Sequence, residues 1–243
     1  LLPKPFFNVI NGGAHAGNEL DFQEFMISPQ AGSFSENLKM GAEIYHQLKD
    51  VLLKKYGKSA INVGDEGGFA PAIAQPSEAL DLILEAAKNL GSENKIMIVL
   101  DAAASQFYNQ GQYRTKMGVF NEDSLADYYL DLIRKYPILG IEDHFAEDDW
   151  PGWIKFGSKL KAENVKILSI GDDLLATNLE RIKEAKEKNA CNAMILKINQ
   201  IGTITESLAA SGLAKSYGWK IITSHRSGET TDDFISDLAF GVS

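Results

Sequence analysis

From about residue 95 onward, short apolar runs alternate with longer amphipathic stretches, and no other feature of the chain limits its fold as much. The runs are "KIMIVLDAA", "PILGIED", "VKILSIGDD", "NAMILKIN" and "WKIITSHR". Each is apolar over most of its length, as a parallel strand covered on both faces must be. Between and after them lie helical patterns: "NEDSLADYYLDLIRKY", a segment starting near Trp150, "NLERIKEAKEKNA", "TITESLAASGLAKSYG" and "TTDDFISDLAF". Strand followed by helix, repeated in this way, predicts an α/β fold with a parallel sheet.

The first third is less regular. Leu2 to Ile10 and Phe22 to Ser28 read as strands joined by the glycine-rich turn "NGGAHAGNELD". Ser33 to Gly57 reads as a long helix, with Ser33 and Glu36 at capping-box spacing and apolar positions at Leu38, Ala42, Tyr45, Leu48 and Leu52. Ser77 to Gly91 reads as a second helix with a serine N-cap and a glycine C-cap. With no internal repeat, low-complexity tract or long linker, one domain is the economical reading.

Each later run ends on a polar functional group: Asp101, Glu142, Asp172, Lys197 and His225. A closed parallel barrel brings the C-terminal ends of its strands to one mouth, whereas a doubly wound sheet concentrates its site at a switch point. Five consecutive strands that all contribute favour the barrel. An aspartate after a buried strand is often only an N-cap or turn residue. Three acids converging from separate strands repel one another unless a cation sits between them, and oxygen ligands with few histidines suit a hard ion such as Mg²⁺ rather than zinc. One of the adjacent pair Asp172 and Asp173 is then expected to be a metal ligand. Lys197, at the end of "MILK", is either a snorkelling strand-end lysine or a general base, a role open to a lysine whose pKa is lowered by a metal and other cations nearby. "GDEGGFAP" and "NGGAHAGN" add Asp65, Glu66 and His15 in glycine-flanked loops, which by themselves are weak signals. His46 falls within a helix pattern and is expected at the surface or in packing, and His144 gains no role.

Composition excludes several alternatives. The 243 residues are 44% hydrophobic, enough for a large core, and the net charge of −9 comes without a Lys/Arg cluster that would suggest a nucleic-acid or membrane surface. No apolar stretch approaches the roughly 20 residues of a membrane span. A single cysteine, Cys191, cannot form an intramolecular disulfide, and no signal peptide is visible. A cytoplasmic protein is expected, and the opening on Leu1 rather than methionine suggests that the native N-terminus is missing.

In order along the chain, "NVINGGAHAGN", "FQEFMISP", "GDEGGFAP", "LDAAASQFY", "IEDHFAEDDW", "GDDLLATN", "LKINQIGTITES" and "SHRSGETTDDFISDLA" resemble the motifs of the enolase family. The resemblance runs from near the start of the chain to its end. It implies a TIM-type barrel of the enolase kind, β-β-α-α and then β-α units, apparently lacking its last unit. Residues 1–243 would form the C-terminal catalytic barrel domain, incomplete and without the N-terminal capping domain. It also implies reversible dehydration of 2-phosphoglycerate to phosphoenolpyruvate with two Mg²⁺ ions per site. By the same resemblance Asp101, Glu142 and Asp172 are the metal ligands and Lys197 the proton-abstracting base. Glu66 is the general acid supported by Glu24, His15 lies on the substrate side, and His225, Arg226 and Ser227 handle the phosphate and second metal. A homodimer or larger homo-oligomer is implied as well. The chain departs from the family pattern at His144, where a smaller or cyclic residue is usual, and at Gln106, where an acid is common; tuning rather than loss is expected from both. The stretch that supplies a second active-site lysine in enolases lies beyond Ser243. The alternatives are a catalytically silent enolase fragment or enolase-like protein with a binding or scaffold role, and a superfamily relative acting on another carboxylate. "SHRSGET" and "GDEGGFAP" disfavour the latter.

Overall fold

The structure is a computed structural model that describes residues 2–243. Its main sheet begins with two antiparallel steps. Strand β1 (Phe7–Asn11) pairs with β2 (Glu24–Pro29), and β2 pairs with β3 (Ile96–Asp101). Helices α1 (Phe34–Tyr56) and α2 (Pro76–Asn89) lie between β2 and β3 in the chain. A small separate sheet follows, made of β4 (Tyr108–Asn109), β5 (Gln112–Thr115) and β6 (Gly118–Phe120). The regular part then runs α3 (Glu122–Lys135), β7 (Ile138–Glu142), α4 (Trp150–Ala162), β8 (Leu168–Gly171), α5 (Leu179–Lys188) and β9 (Ala193–Leu196). It ends with the short α6 (Ile198–Ile201), α7 (Ile204–Ser216), β10 (Lys220–Thr223) and α8 (Phe234–Gly241).

The order β1-β2-β3-β7-β8-β9-β10, parallel from β3 onward, is a curled half-barrel that does not close, because β1 and β10 remain edges. All five apolar runs are strands of this sheet. For the first four their lack of polar breaks follows from burial on both sides, whereas β10 at the edge is only half-buried. Ile98, Leu100, Met194 and Leu196 face the helices, whereas Val99, Ile170, Ala193 and Ile195 pack with Met26 inside the curl. No helix among the described residues is long and apolar enough to cross a membrane.

Three local expectations change. Strand β1 starts at Phe7 rather than Leu2, because Pro3 and Pro5 lack the amide donors that a ladder needs. On α1, Leu38 is 49% exposed and Ala42 is exposed, so the buried stripe is rotated to Asn37, Gly41, Ile44, Leu48, Val51 and Leu52. The reason is Gly41: a Cβ there would meet the Phe7 ring at 2.6 Å, so only glycine lets β1 approach this helix. Helix α2 starts at Pro76, whose fixed φ suits the first helical position, and this leaves Ser77 inside the helix and Gln75 as an N-cap without a side-chain hydrogen bond. Gly91, at φ 62°, follows the C-cap; its amide bonds Lys88 O and that of Ser92 bonds Ala87 O, the paired closure of a Schellman turn.

Candidate active site

Strand register explains how acids from distant segments meet. Glu24 on β2 is the partner of Asp101 on β3, and Asp101 is the partner of Glu142 on β7. Side chains alternate across a strand, so a residue two beyond an inward-facing one also faces inward. Met26, Val99, Ile170 and Ile195 face inward. Glu24, Asp101, Asp172 and Lys197 are each two residues away along the same strand line, and they therefore gather at the mouth of the curl. All except Glu24 lie at the C-terminal ends of their strands; Glu24 opens β2 because that strand runs the other way.

Asp101, Glu142 and Asp172 are 4%, 7% and 7% exposed. Burial pushes the Asp101 carboxyl above its ordinary range, and the charge of Asp172 adds to the effect. Glu142 is driven well up by burial and then by Asp101 and Asp172. Lys197 Nζ donates to Asp172 Oδ2, Gln200 Nε2 donates to Asp172 Oδ1 at 3.1 Å, and Gln23 Nε2 donates to Asp101 Oδ2 at 3.0 Å. Burial alone would lower the Lys197 amine, but Asp172 and Glu142 outweigh it and hold the ammonium charged. That is opposite to the direction expected of a base beside cations, because the charges that raise this lysine are those of Asp172, Glu142 and Asp101.

A second group lies beside the first. Burial, the neighbouring Glu66 and the charge of Asp101 raise the Glu24 carboxyl, which favours its protonated form. Glu66 moves the other way. Burial favours its neutral form, but the nearby His225, Glu24 and His15 override burial. His15 Nδ1 lies 3.9 Å from Glu24 and 3.7 Å from Glu66, and His225 Nε2 lies 3.7 Å from Glu66. His225, Arg226 and Ser227 lie on an exposed loop lining a recess of about 270 Å³ with Asp65 and Glu229. Glu229 shapes that loop by accepting from Arg226 N at 2.8 Å and from Asn199 Nδ2 at 2.9 Å.

Among the described residues, ligand atoms of His15, Glu24 and Glu66 all lie within 4.8 Å of one another, as do those of Asp143, Asp172 and Asp173. Asp101 and Glu142 join neither set. A carboxylate-rich floor with one lysine suits a hard divalent cation, since several acids whose pKa values are raised by burial and then by mutual repulsion gain from any positive charge placed among them. Sequence reasoning missed Gln23, Gln200 and Asp143, whose side chains orient the acids. The only hints were neighbouring polar letters without a pattern of their own. Gln106 accepts from Ala14 N at 3.1 Å and donates to Gln23, linking the His15 turn to Asp101 through that glutamine. His46 is exposed, as its helix position implied. His144 turns away from the mouth; it is fully buried, 2.8 Å from Ser169 Oγ and packed on Trp153 and Phe156.

A half-barrel of this strand order, with acids at the strand ends, accords with the family that the sequence matches. The sequence model described as "Enolase, C-terminal TIM barrel domain" matches residues 1–243, and the chain belongs to that family.

Proposed function

We propose that this chain is the catalytic barrel of an enolase, which dehydrates 2-phosphoglycerate to phosphoenolpyruvate with Mg²⁺ held among Asp101, Glu142 and Asp172. The observation that carries this reading is strand order: Lys197 just after β9 and Glu24 on β2 flank the three strands β3, β7 and β8 that supply the acids. A proton-removing group and a proton-supplying pair thus stand on either side of one negative floor. In the elimination, with the negative charge that holds Lys197 protonated offset by a cation among the acids, its neutral amine takes the proton from the carbon next to the substrate carboxylate. The C–O bond breaks at the neighbouring carbon, a C=C bond forms, and the departing hydroxide leaves as water with a proton from the Glu24–Glu66 pair, whose carboxyl raised by burial is that of Glu24. A bound cation would stabilise the charge that builds on the substrate carboxylate. The basic loop at His225 and Arg226 suits the phosphate.

The test is the ultraviolet absorbance of phosphoenolpyruvate after 2-phosphoglycerate and Mg²⁺ are added to the full-length protein. We expect a rise that EDTA abolishes and that Lys197→Ala reduces on the order of 10²–10⁴-fold, the range for loss of a general base. A rise of equal rate in Lys197→Ala would overturn the assignment. No rise from folded, Mg²⁺-loaded protein would overturn the activity itself.

A further inference from the structure

We propose that Asp143 is a positioning residue that fixes Asp172 for cation binding by gripping the backbone of the β8 turn. The inference rests on the cation reading above. Asp143 immediately follows Glu142, is 4% exposed, and has a left-handed φ of 39°, a conformation that Asp and Asn tolerate better than most residues. Its carboxylate spans two consecutive amides. Asp172 N donates to Oδ1 at 3.0 Å and Asp173 N donates to Oδ2 at 2.7 Å. Its own amide donates to Ile170 O at 3.0 Å, and its carbonyl accepts from Ala104 N at 3.0 Å. Asp143 therefore ties together the turns after β3, β7 and β8, the strands that deliver Asp101, Glu142 and Asp172.

The residue type follows from the bonding. The two adjacent N–H groups here meet two separate oxygens of one short side chain, an arrangement that a carboxylate supplies and an amide, with one oxygen, does not. Each Asp143 oxygen is committed to an amide, so the proximity of this carboxylate to those of Asp172 and Asp173 serves backbone placement. Polar partners behind metal ligands commonly affect affinity by 10–100-fold.

Asp143→Asn keeps the size and the left-handed backbone but turns one acceptor into a donor facing an N–H. Asp143→Gly keeps the backbone freedom and removes both acceptors. In metal-free protein we expect amide exchange at Asp172 and Asp173 to be slow in the wild type and at least about tenfold faster in both variants, with cooperative melts retained. Calorimetric titration with Mg²⁺ should show binding weakened about 10–100-fold. Activity of the asparagine variant should return toward wild type at saturating Mg²⁺, which a general loss of structure would not allow. Unprotected amides in the wild type would overturn the proposal even if neither variant folds. So would equal protection, or equal Mg²⁺ affinity, in wild type and variants. Wild-type protein that binds no Mg²⁺ would instead sink the cation reading, and the exchange measurement would still decide whether Asp143 grips the turn.

Discussion

Replacing Tyr113 by Phe tests the small sheet that the strand–helix pattern gives no reason to expect. Tyr113 on β5 is fully buried; its hydroxyl donates to Asp149 Oδ2 at 2.5 Å and accepts from Ala146 N at 3.1 Å. Asp149 in turn caps α4 by accepting from Gly152 N at 3.1 Å. One oxygen therefore joins the small sheet to the segment between β7 and α4. Tyr113→Phe keeps the ring contacts with Phe107, Tyr108 and Phe145 and removes only that oxygen. A hydrogen bond to a charged group is worth about 1.5–3 kcal/mol, and stranding the buried Ala146 amide adds about 1–3 kcal/mol. Because the segment can relax, we expect a loss of about 3 kcal/mol, a large part of the roughly 5–15 kcal/mol by which domains are stable. Reversible urea unfolding measures it. Asp149→Asn, which keeps the oxygen facing Gly152, completes a double-mutant cycle whose coupling should be about 2 kcal/mol, within the range for residues in contact. A loss under about 0.5 kcal/mol, no more than an ordinary surface substitution, or a coupling of zero would refute the argument.

Two further perturbations bear on the charges. Asp101→Asn removes one of the mutually repelling buried carboxylates; without divalent cations the variant should be more stable than wild type by on the order of 1–2 kcal/mol, since a raised carboxyl costs about 1.4 kcal/mol per pKa unit above its unfolded value. Mg²⁺ should raise the wild-type melting midpoint and leave the variant's unmoved, and a less stable metal-free variant would contradict the repulsion. Burial lowers the His144 imidazole from 6.5 to about 3. Its folded value is the depressed one, so the stability due to its neutral form is present above about pH 6.5 and lost as pH falls through about 3. Between about pH 6 and about pH 4.5, wild type should lose about 2 kcal/mol more than His144→Gln. Parallel stability curves from urea unfolding would show that His144 is not held neutral.

The five parallel strands were legible because a helix pattern follows each apolar run, and in all but the half-buried edge strand β10 burial on both faces leaves that run uninterrupted. The small sheet had no such signature. Strand β4 has only two residues, and Asn109, Gln112 and Arg114 are polar and exposed. Its turn is a two-residue loop, Gln110 and Gly111 at φ 50° and 79°, which carries a weaker signal than the favoured Asn-Gly or Asp-Gly. The α1 face was misplaced because apolar spacing alone could not show that Phe7 would press against Gly41.

For the site, chain order showed which strand ends bear acids but not their lateral alignment. Glu24 enters the cluster through antiparallel register with Asp101, a property of pairing between distant segments and of no local motif. The supporting residues were hidden for a different reason. Gln23, Asp143 and Gln200 act through hydrogen bonds whose partners lie on other turns, so nothing near them in sequence announces a role. Their common effect is to hold acids in place against mutual repulsion. An apolar strand specifies where its last side chain emerges, but keeping several carboxylates together requires donors from elsewhere. The Asp172 carboxylate receives one from Lys197 and one from Gln200, and the amide of the same residue is held by Asp143. That arrangement leaves Asp101 and Glu142 buried with raised pKa values and no cationic side chain paired to either among the described residues. The charge demand left at the mouth is therefore a product of strand register, and positive charge from a bound cation would meet it.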